Sequence, residues 1–244
     1  MQPTPSDRRS LLIDAMGTLV SLEPPAPALR RELRCRFGVE VSLVQAEHAV
    51  AAEIGYYRAH MQDGHDASSV HALRSRCAEA LRAALPASDR LRRVDRVSLT
   101  QALLASLRFS AFDDARPALE AARHRGERVI VVSNWDASLA EVLERVGLAP
   151  LLDGVVTSAA AGARKPQPAI FERALELAGV EAERAMHVGD SLEEDVAGAR
   201  AAGIEAVWLN RAGLPGAPGP PAASGPPGVA TIASLGELGA HRRP

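Results

Sequence analysis

LLIDAMGTLV, residues 11–20, runs from an apolar segment into one acid and out through a glycine. Leu11, Leu12 and Ile13 form the short apolar run that a buried strand requires, Asp14 stands at its tip, and Gly17 and Thr18 supply a tight exit. An aspartate that closes a strand is ordinarily a turn or cap residue, so the weight of Asp14 depends on how the other strands end.

Comparable runs follow at VIVVS (129–133), GVVTS (154–158), AMHVG (185–189) and AVWLN (206–210). Helical patterns lie between them. ARPALEAARHRG (115–126) starts after Asp114 as an expected N-cap and stops at Gly126, and ASLAEVLERVG, PAIFERALELAG and DVAGARAAG come after it. This alternation predicts an α/β fold: a doubly wound, Rossmann-like parallel sheet with crossover helices on both faces. From about Pro24 to Leu107 the chain is rich in Ala, Arg, Leu and Glu with helical periodicity and no comparable strand run. The expected organisation is a core of residues 1–20 and 109–244 with a helical insertion at 21–108. Residues 214–228, LPGAPGPPAASGPPG, read as an exposed flexible loop before a last short strand at VATI and a terminal helical turn.

With 244 residues and 47% hydrophobic content the chain can bury a sizeable core. A net charge of -2 removes the electrostatic case for a nucleic-acid or anionic-membrane partner and favours a small soluble ligand. No apolar run long enough to span a membrane appears, nor a signal peptide. Cys35 and Cys77 lack any CxxC or Cys/His metal spacing, which suits a reducing cytoplasm and predicts ordinary buried or semi-buried thiols. All but one of the 28 basic residues are arginine, and the sole lysine is Lys165. An ammonium is a compact point charge that a guanidinium does not mimic, so that position carries weight.

Doubly wound sheets present ligands beyond the carboxyl ends of their strands, where strand order reverses. The second strand ends on Ser133 and Asn134, a hydroxyl and an amide suited to phosphate oxygens. The fourth ends on Asp190, and Glu193, Glu194 and Asp195 open the next helix, where acids are common in any case. Two strand-end carboxylates, Asp14 and Asp190, would repel unless a cation lies between them, and hard oxygen ligands suit magnesium. Lys165, just before a helix, would stabilise both a carboxylate and a bound phosphoryl group.

Taken in order, DAMGT (14–18), SN (133–134), KP (165–166) and GDSLEED (189–195) resemble the four motifs of the haloacid dehalogenase superfamily, over residues 10–20 and 110–210. A helical insertion after the first motif resembles the subfamily with a small helical cap. The resemblance implies a magnesium-dependent hydrolase, most simply a phosphatase of a small phosphorylated metabolite. Asp14 would attack phosphorus to form an aspartyl-phosphate, while Ser133, Asn134 and Lys165 hold the phosphoryl oxygens. Asp14, Asp190 and the Met16 carbonyl would hold magnesium, with Asp195 as an outer ligand or a support.

The sequence departs from this pattern at Met16, where phosphatases of the superfamily usually carry a second aspartate. A thioether neither protonates a leaving group nor activates water. Replacement acids would come from HMQDGHDASSVH (60–71), which offers His60, Asp63, His65 and His71, although the plainer account of that segment is a polar turn between two helices. Competing implications are a metal-independent 2-haloacid dehalogenase, which also lacks that aspartate, and an idle phosphate-binding protein. Against the dehalogenase stand the acid Asp190 and an aromatic content of 3%. A phosphonoacetaldehyde hydrolase would need a lysine in the insertion, which has none.

Overall fold

The structure, a computed structural model, describes residues 9–211 and 225–241. The chain divides into two compact units. One is made of residues 1–21, 111–135 and 139–244, and the other of 22–110 with 136–138.

The first unit is built on a six-stranded sheet of β1 (Ser10–Ile13), β4 (Arg128–Ser133), β5 (Gly154–Thr157), β6 (Ala185–Gly189), β7 (Glu205–Leu209) and β8 (Ala230–Ile232), in the order β5-β4-β1-β6-β7-β8. Every pairing is parallel. Such strands are covered on both faces and need continuous apolar runs rather than alternation, and accordingly Leu11, Leu12 and Ile13 are all fully buried. The register sets Ile13 beside both Val131 and Val188, so Asp14 leaves the sheet between β4 and β6 where the strand order reverses.

On one face Leu12, Ile130, Val132 and Val156 pack against Ile170, Phe171, Ala174 and Ala178 of α9 (Pro168–Ala178). Each large side chain buried there contributes about 1.5–3 kcal/mol. Proline at its first turn starts α9, and Gly179 at φ 66° ends it by returning its N–H to the Leu175 and Glu176 carbonyls. Helix α6 (Ala115–His124) begins without the expected cap, because Asp114 makes no side-chain bond to the helix and spends its carboxylate elsewhere. The segment after β6 also differs from expectation. Its helical stretch opens at Leu192, one residue before the acids expected to open it, but the first turn, Leu192–Ala197, is π-helical and precedes α10 (Gly198–Ala201). The last strand and a 3₁₀ segment at Leu235–His241 follow; the expected flexible loop at 214–228 lies outside the described residues as far as residue 224.

The second unit contains α1 (Pro25–Phe37), α2 (Leu43–His60), α3 (Ala67–Ala84), α4 (Asp89–Arg93) and α5 (Arg96–Ser106). Ser42 and Asp66 start α2 and α3 with reciprocal capping boxes. Leu29, Leu33, Leu73, Leu81, Leu99 and Leu103 form its core. Two short strands that the sequence pattern does not announce, β2 (Val20–Leu22) and β3 (Phe109–Ala111), pair where the chain enters and leaves this unit. Cys77 is buried in α3, whereas Cys35 on α1 is exposed, contrary to the expectation of two shielded thiols. Among the described residues no helix is long and apolar enough to cross a membrane.

Candidate active site

The ends of β1 and β4 and the segment between β5 and α9 bring three of the expected side chains into direct contact in the first unit. Lys165 Nζ donates to Asp14 Oδ1 at 2.5 Å, and the Ser133 hydroxyl donates to the same oxygen at 3.0 Å. Among the described residues no hydrogen bond reaches Asp14 Oδ2, and that atom is not among the sealed, unpartnered ones. Lys165 is 1% exposed, among the largest fully buried side chains of the described residues. Its ammonium is affordable there only because a second carboxylate meets it: Asp195 Oδ1 accepts from Nζ at 2.5 Å.

Asp195 is therefore more than a helix-opening acid. It also takes a bond from His187 Nε2 at 2.9 Å, and its Oδ2 accepts the Ser191 N–H at 3.0 Å. The π-helical turn aims it inward, since the N–H groups of Asp195 and Val196 both return to the Ser191 carbonyl. Gly189 makes room, because a Cβ there would lie 2.1 Å from the Asp195 carboxyl carbon. His187, in the middle of β6, was passed over in the sequence; its signal was a polar residue inside the apolar run AMHVG. Its Nδ1 is buried without a partner, so the ring serves Asp195 through Nε2 alone.

Asn134 engages the backbone of Lys165. Its Oδ1 accepts the Lys165 N–H at 2.8 Å and its Nδ2 donates to the Lys165 carbonyl at 3.1 Å, so both ends of the amide hold the lysine's backbone. Asp190 retains solvent contact, and its carbonyl accepts from Trp208 Nε1 at 2.9 Å. Gly17, at φ +83°, lies against it: a Cβ there would stand 2.2 Å from Asp190 Oδ2. Met16 sits in the turn after Asp14, bridged to Val20.

The charges follow from these contacts. Burial raises the Asp14 carboxyl above its ordinary value, with Lys165 working against it. Burial also opposes ionisation of Asp195, yet Lys165 and the bond from His187 outweigh it and hold Asp195 well below the usual carboxylate range. For Lys165, burial is overcome by Asp14 and Asp195, which keep the ammonium charged. Asp190 is pushed up to about 7, by desolvation first and then by the charges of Asp14 and Asp195. Asp14, Asp190 and Asp195 offer carboxylate oxygens within 4.8 Å of one another, a set of hard donors whose mutual repulsion suits a divalent cation such as magnesium.

The acids and histidines suggested as substitutes for the missing aspartate belong to the second unit. His60 stacks on Tyr56 and its Nδ1 lies 2.8 Å from the Tyr56 carbonyl, Asp63 pairs with Arg76 at 2.5 Å, and His65 and His71 are exposed. The 3₁₀ turn at Met61–Asp63 joins α2 to α3.

Comparison with known proteins bears on the chemistry. A family model described as "Hydrolase: haloacid dehalogenase-like hydrolase" matches residues 9–203. Haloacid dehalogenase-like hydrolase domain-containing protein 3 of Bos taurus is 45% identical over 98 residues, which is 40% of this chain and 39% of that protein. Phosphoserine phosphatase of Thermus thermophilus is 38% identical over 112 residues, 46% of this chain and 45% of that protein. The matches thus span less than half the length of these curated relatives. Among solved structures, an HAD phosphatase from Thermococcus onnurineus is 27% identical with a TM-score of 0.61, covering 94% of this chain and 95% of that one. A 2-haloacid dehalogenase from Pseudomonas syringae pv. Tomato is 25% identical with a TM-score of 0.65, covering 96% of this chain and 97% of that one.

Proposed function

Because the chain belongs to the haloacid dehalogenase-like hydrolases, we propose that it is a magnesium-dependent phosphatase acting on a small phosphorylated metabolite. The observation that carries this reading is the arrangement at Asp14, with Oδ1 pinned by Lys165 and Ser133 while no hydrogen bond reaches Oδ2 among the described residues. A carboxylate fixed by one oxygen is aimed with the other, which is what attack on phosphorus requires. Asp14 Oδ2 would bond to phosphorus as the bond to the ester oxygen breaks, and water would then release phosphate from the aspartyl-phosphate. Lys165 and Ser133 would hold phosphoryl oxygens, Asn134 would hold Lys165, and Asp195 is better suited to securing the ammonium than to binding metal, since both its oxygens are engaged. Magnesium held by Asp14, Asp190 and the Met16 carbonyl would offset the clustered negative charge and draw charge from the phosphoryl oxygens. The relatives named as phosphatases support a phosphate ester as substrate.

Met16 sharpens the proposal. With no acid at that position, turnover depends on how well the leaving group departs unaided, so aryl phosphates are hydrolysed well and alkyl phosphates slowly, with a burst of leaving group as the aspartyl-phosphate accumulates. The test is phosphate release from an aryl and an alkyl phosphate, in magnesium and in chelator, by the parent protein and by Met16→Asp. The variant is expected to gain about 10²–10⁴ on the alkyl ester, and chelator to stop both. Equal rates on the two esters with no burst would sink the Met16 account. Activity on 2-haloacids that survives chelator would replace the phosphatase with a dehalogenase, and inertness of both proteins towards every phosphate ester would leave phosphate binding alone.

A further inference from the structure

Arg211, two residues beyond β7, makes a set of contacts in the first unit that the phosphatase reading does not use. Its guanidinium grips Asp114 with both arms, Nη1 to Oδ2 at 3.0 Å and Nη2 to Oδ1 at 2.9 Å. The same group turns Nη2 to the Thr18 carbonyl at 2.9 Å and Nε to the Gly17 carbonyl at 3.3 Å. Its carbon lies 4.0 Å from the centroid of the Phe112 ring. Asp114 is itself seated, accepting the Ser234 hydroxyl at 2.7 Å and the Leu235 N–H at 2.9 Å. A planar fork that meets a carboxylate, two carbonyls and an aromatic face together is work for arginine that lysine does not reproduce.

The two carbonyls belong to the turn that leaves Asp14. That turn is otherwise closed mainly on itself, through Gly17 N–H to the Val20 carbonyl and the Leu19 and Val20 N–H groups to the Ala15 carbonyl. Among the described residues its buried hydroxyl, Thr18 Oγ1, has no partner and adds nothing to those bonds, whereas the Gly17 and Thr18 carbonyls are tied to Arg211. Its Gly17 faces Asp190 with no room for a side chain, since a Cβ there would stand 2.2 Å from Asp190 Oδ2.

We infer that Arg211 is a positioning residue for the turn after Asp14: seated on Asp114 and Phe112, it holds the Gly17 and Thr18 carbonyls and thereby fixes Met16 and Gly17 relative to Asp14 and Asp190. The geometry stands without the phosphatase reading; only its consequence for magnesium rests on that reading.

The experiment is hydrogen exchange on the full-length parent, Arg211→Ala, Arg211→Lys and, as control, Arg123→Ala, which breaks the exposed pair with Asp153 in the same unit. Peptides covering residues 14–20 should exchange about tenfold faster in Arg211→Ala and by an intermediate amount in Arg211→Lys, while β4 and β6 keep their parent rates in both and the control changes nothing in 14–20. Magnesium affinity by calorimetry should fall about tenfold or more in Arg211→Ala. Unchanged exchange in 14–20, or a rise shared equally by β4 and β6, would overturn the inference by reducing Arg211 to a general structural tie. Should Arg211→Ala not fold, Arg211→Lys decides by the same criterion. A parent that takes up no magnesium would count against the proposed metal site, while the exchange pattern still decides the role of Arg211.

Discussion

At the end of β1 and in the π-helical turn after β6, Asp14 and Asp195 share the ammonium of Lys165, whereas between α2 and α3 the buried carboxyl of Glu53 is hydrogen-bonded to the Cys77 thiol. Both regions take acids out of water. In the first unit a cation is buried with them, so Asp195 stays ionised and Lys165 stays charged. In the helical unit no ion pair to Glu53 is formed among the described residues, and burial pushes its carboxyl up to about 7 despite the bond with Cys77. The same burial, followed by the neighbouring Glu53, pushes the Cys77 thiol up to about 12. The buried cation keeps Asp195 ionised even though burial raises the neighbouring Asp14, whereas Glu53, without one, gives charge up and ties stability to pH.

The largest effect expected from breaking this contrast comes from Lys165→Met, which leaves Asp14 and Asp195 buried against each other without their cation. Stability should fall by about 3–5 kcal/mol in a denaturant titration, and phosphate release should cease. A loss under about 1 kcal/mol would mean that the two carboxyls tolerate each other and that the pairing is weaker than its geometry.

Next comes Glu53. Its pKa is raised from 4.5 in the unfolded chain to about 7 in the fold, so its contribution to stability is full below about pH 4.5 and declines as pH rises through about 7. The decline amounts to roughly 3 kcal/mol at most. Asp195 has the opposite sign: its folded pKa is depressed, so its contribution is present above 3.8 and is lost only in acid. Glu53→Gln should flatten the alkaline arm of the stability profile and leave the acid arm intact. A profile with the same slope between pH 5 and 7 in parent and variant would remove Glu53 as the source.

The smallest effect sharpens the contrast without altering the chain. A neutral-pH maleimide should label one thiol, the exposed Cys35, and reach Cys77 only after denaturation. Labelling of Cys77 at the rate of Cys35 would show that the seam between α2 and α3 opens readily, and Glu53 would then meet water.

Legibility in the sequence tracked how local each signal is. Asp14, Ser133 and Asp190 close apolar runs, and a run's end is visible in a window of a few residues. Lys165 stood out because the chain uses arginine everywhere else. By its own position Asp195 reads as an ordinary acid at a helix start, and only the family resemblance marks it as an outer ligand or a support; the π-helical turn, with Gly189 clearing space, carries it inward to Lys165. Asp114 looked like a cap. It serves instead as the seat of Arg211, 97 positions away, in a chain where one more arginine attracts no notice. Residues 136–138, two positions past Asn134, group with the helical unit, a pairing that no local pattern encodes.

The sequence by itself determined the alternation of core strands and helices along the chain, the parallel core and which residues stand at the strand tips, because hydrophobic periodicity and turn chemistry act over short stretches of chain. The tertiary structure alone decided which of those groups carry charge and what each one holds. Asp14 and Lys165 are 151 residues apart in sequence and 2.5 Å apart in space. Ionisation depends on separation at that scale and on how much water remains, and the chain reaches both only when the sheet closes around them.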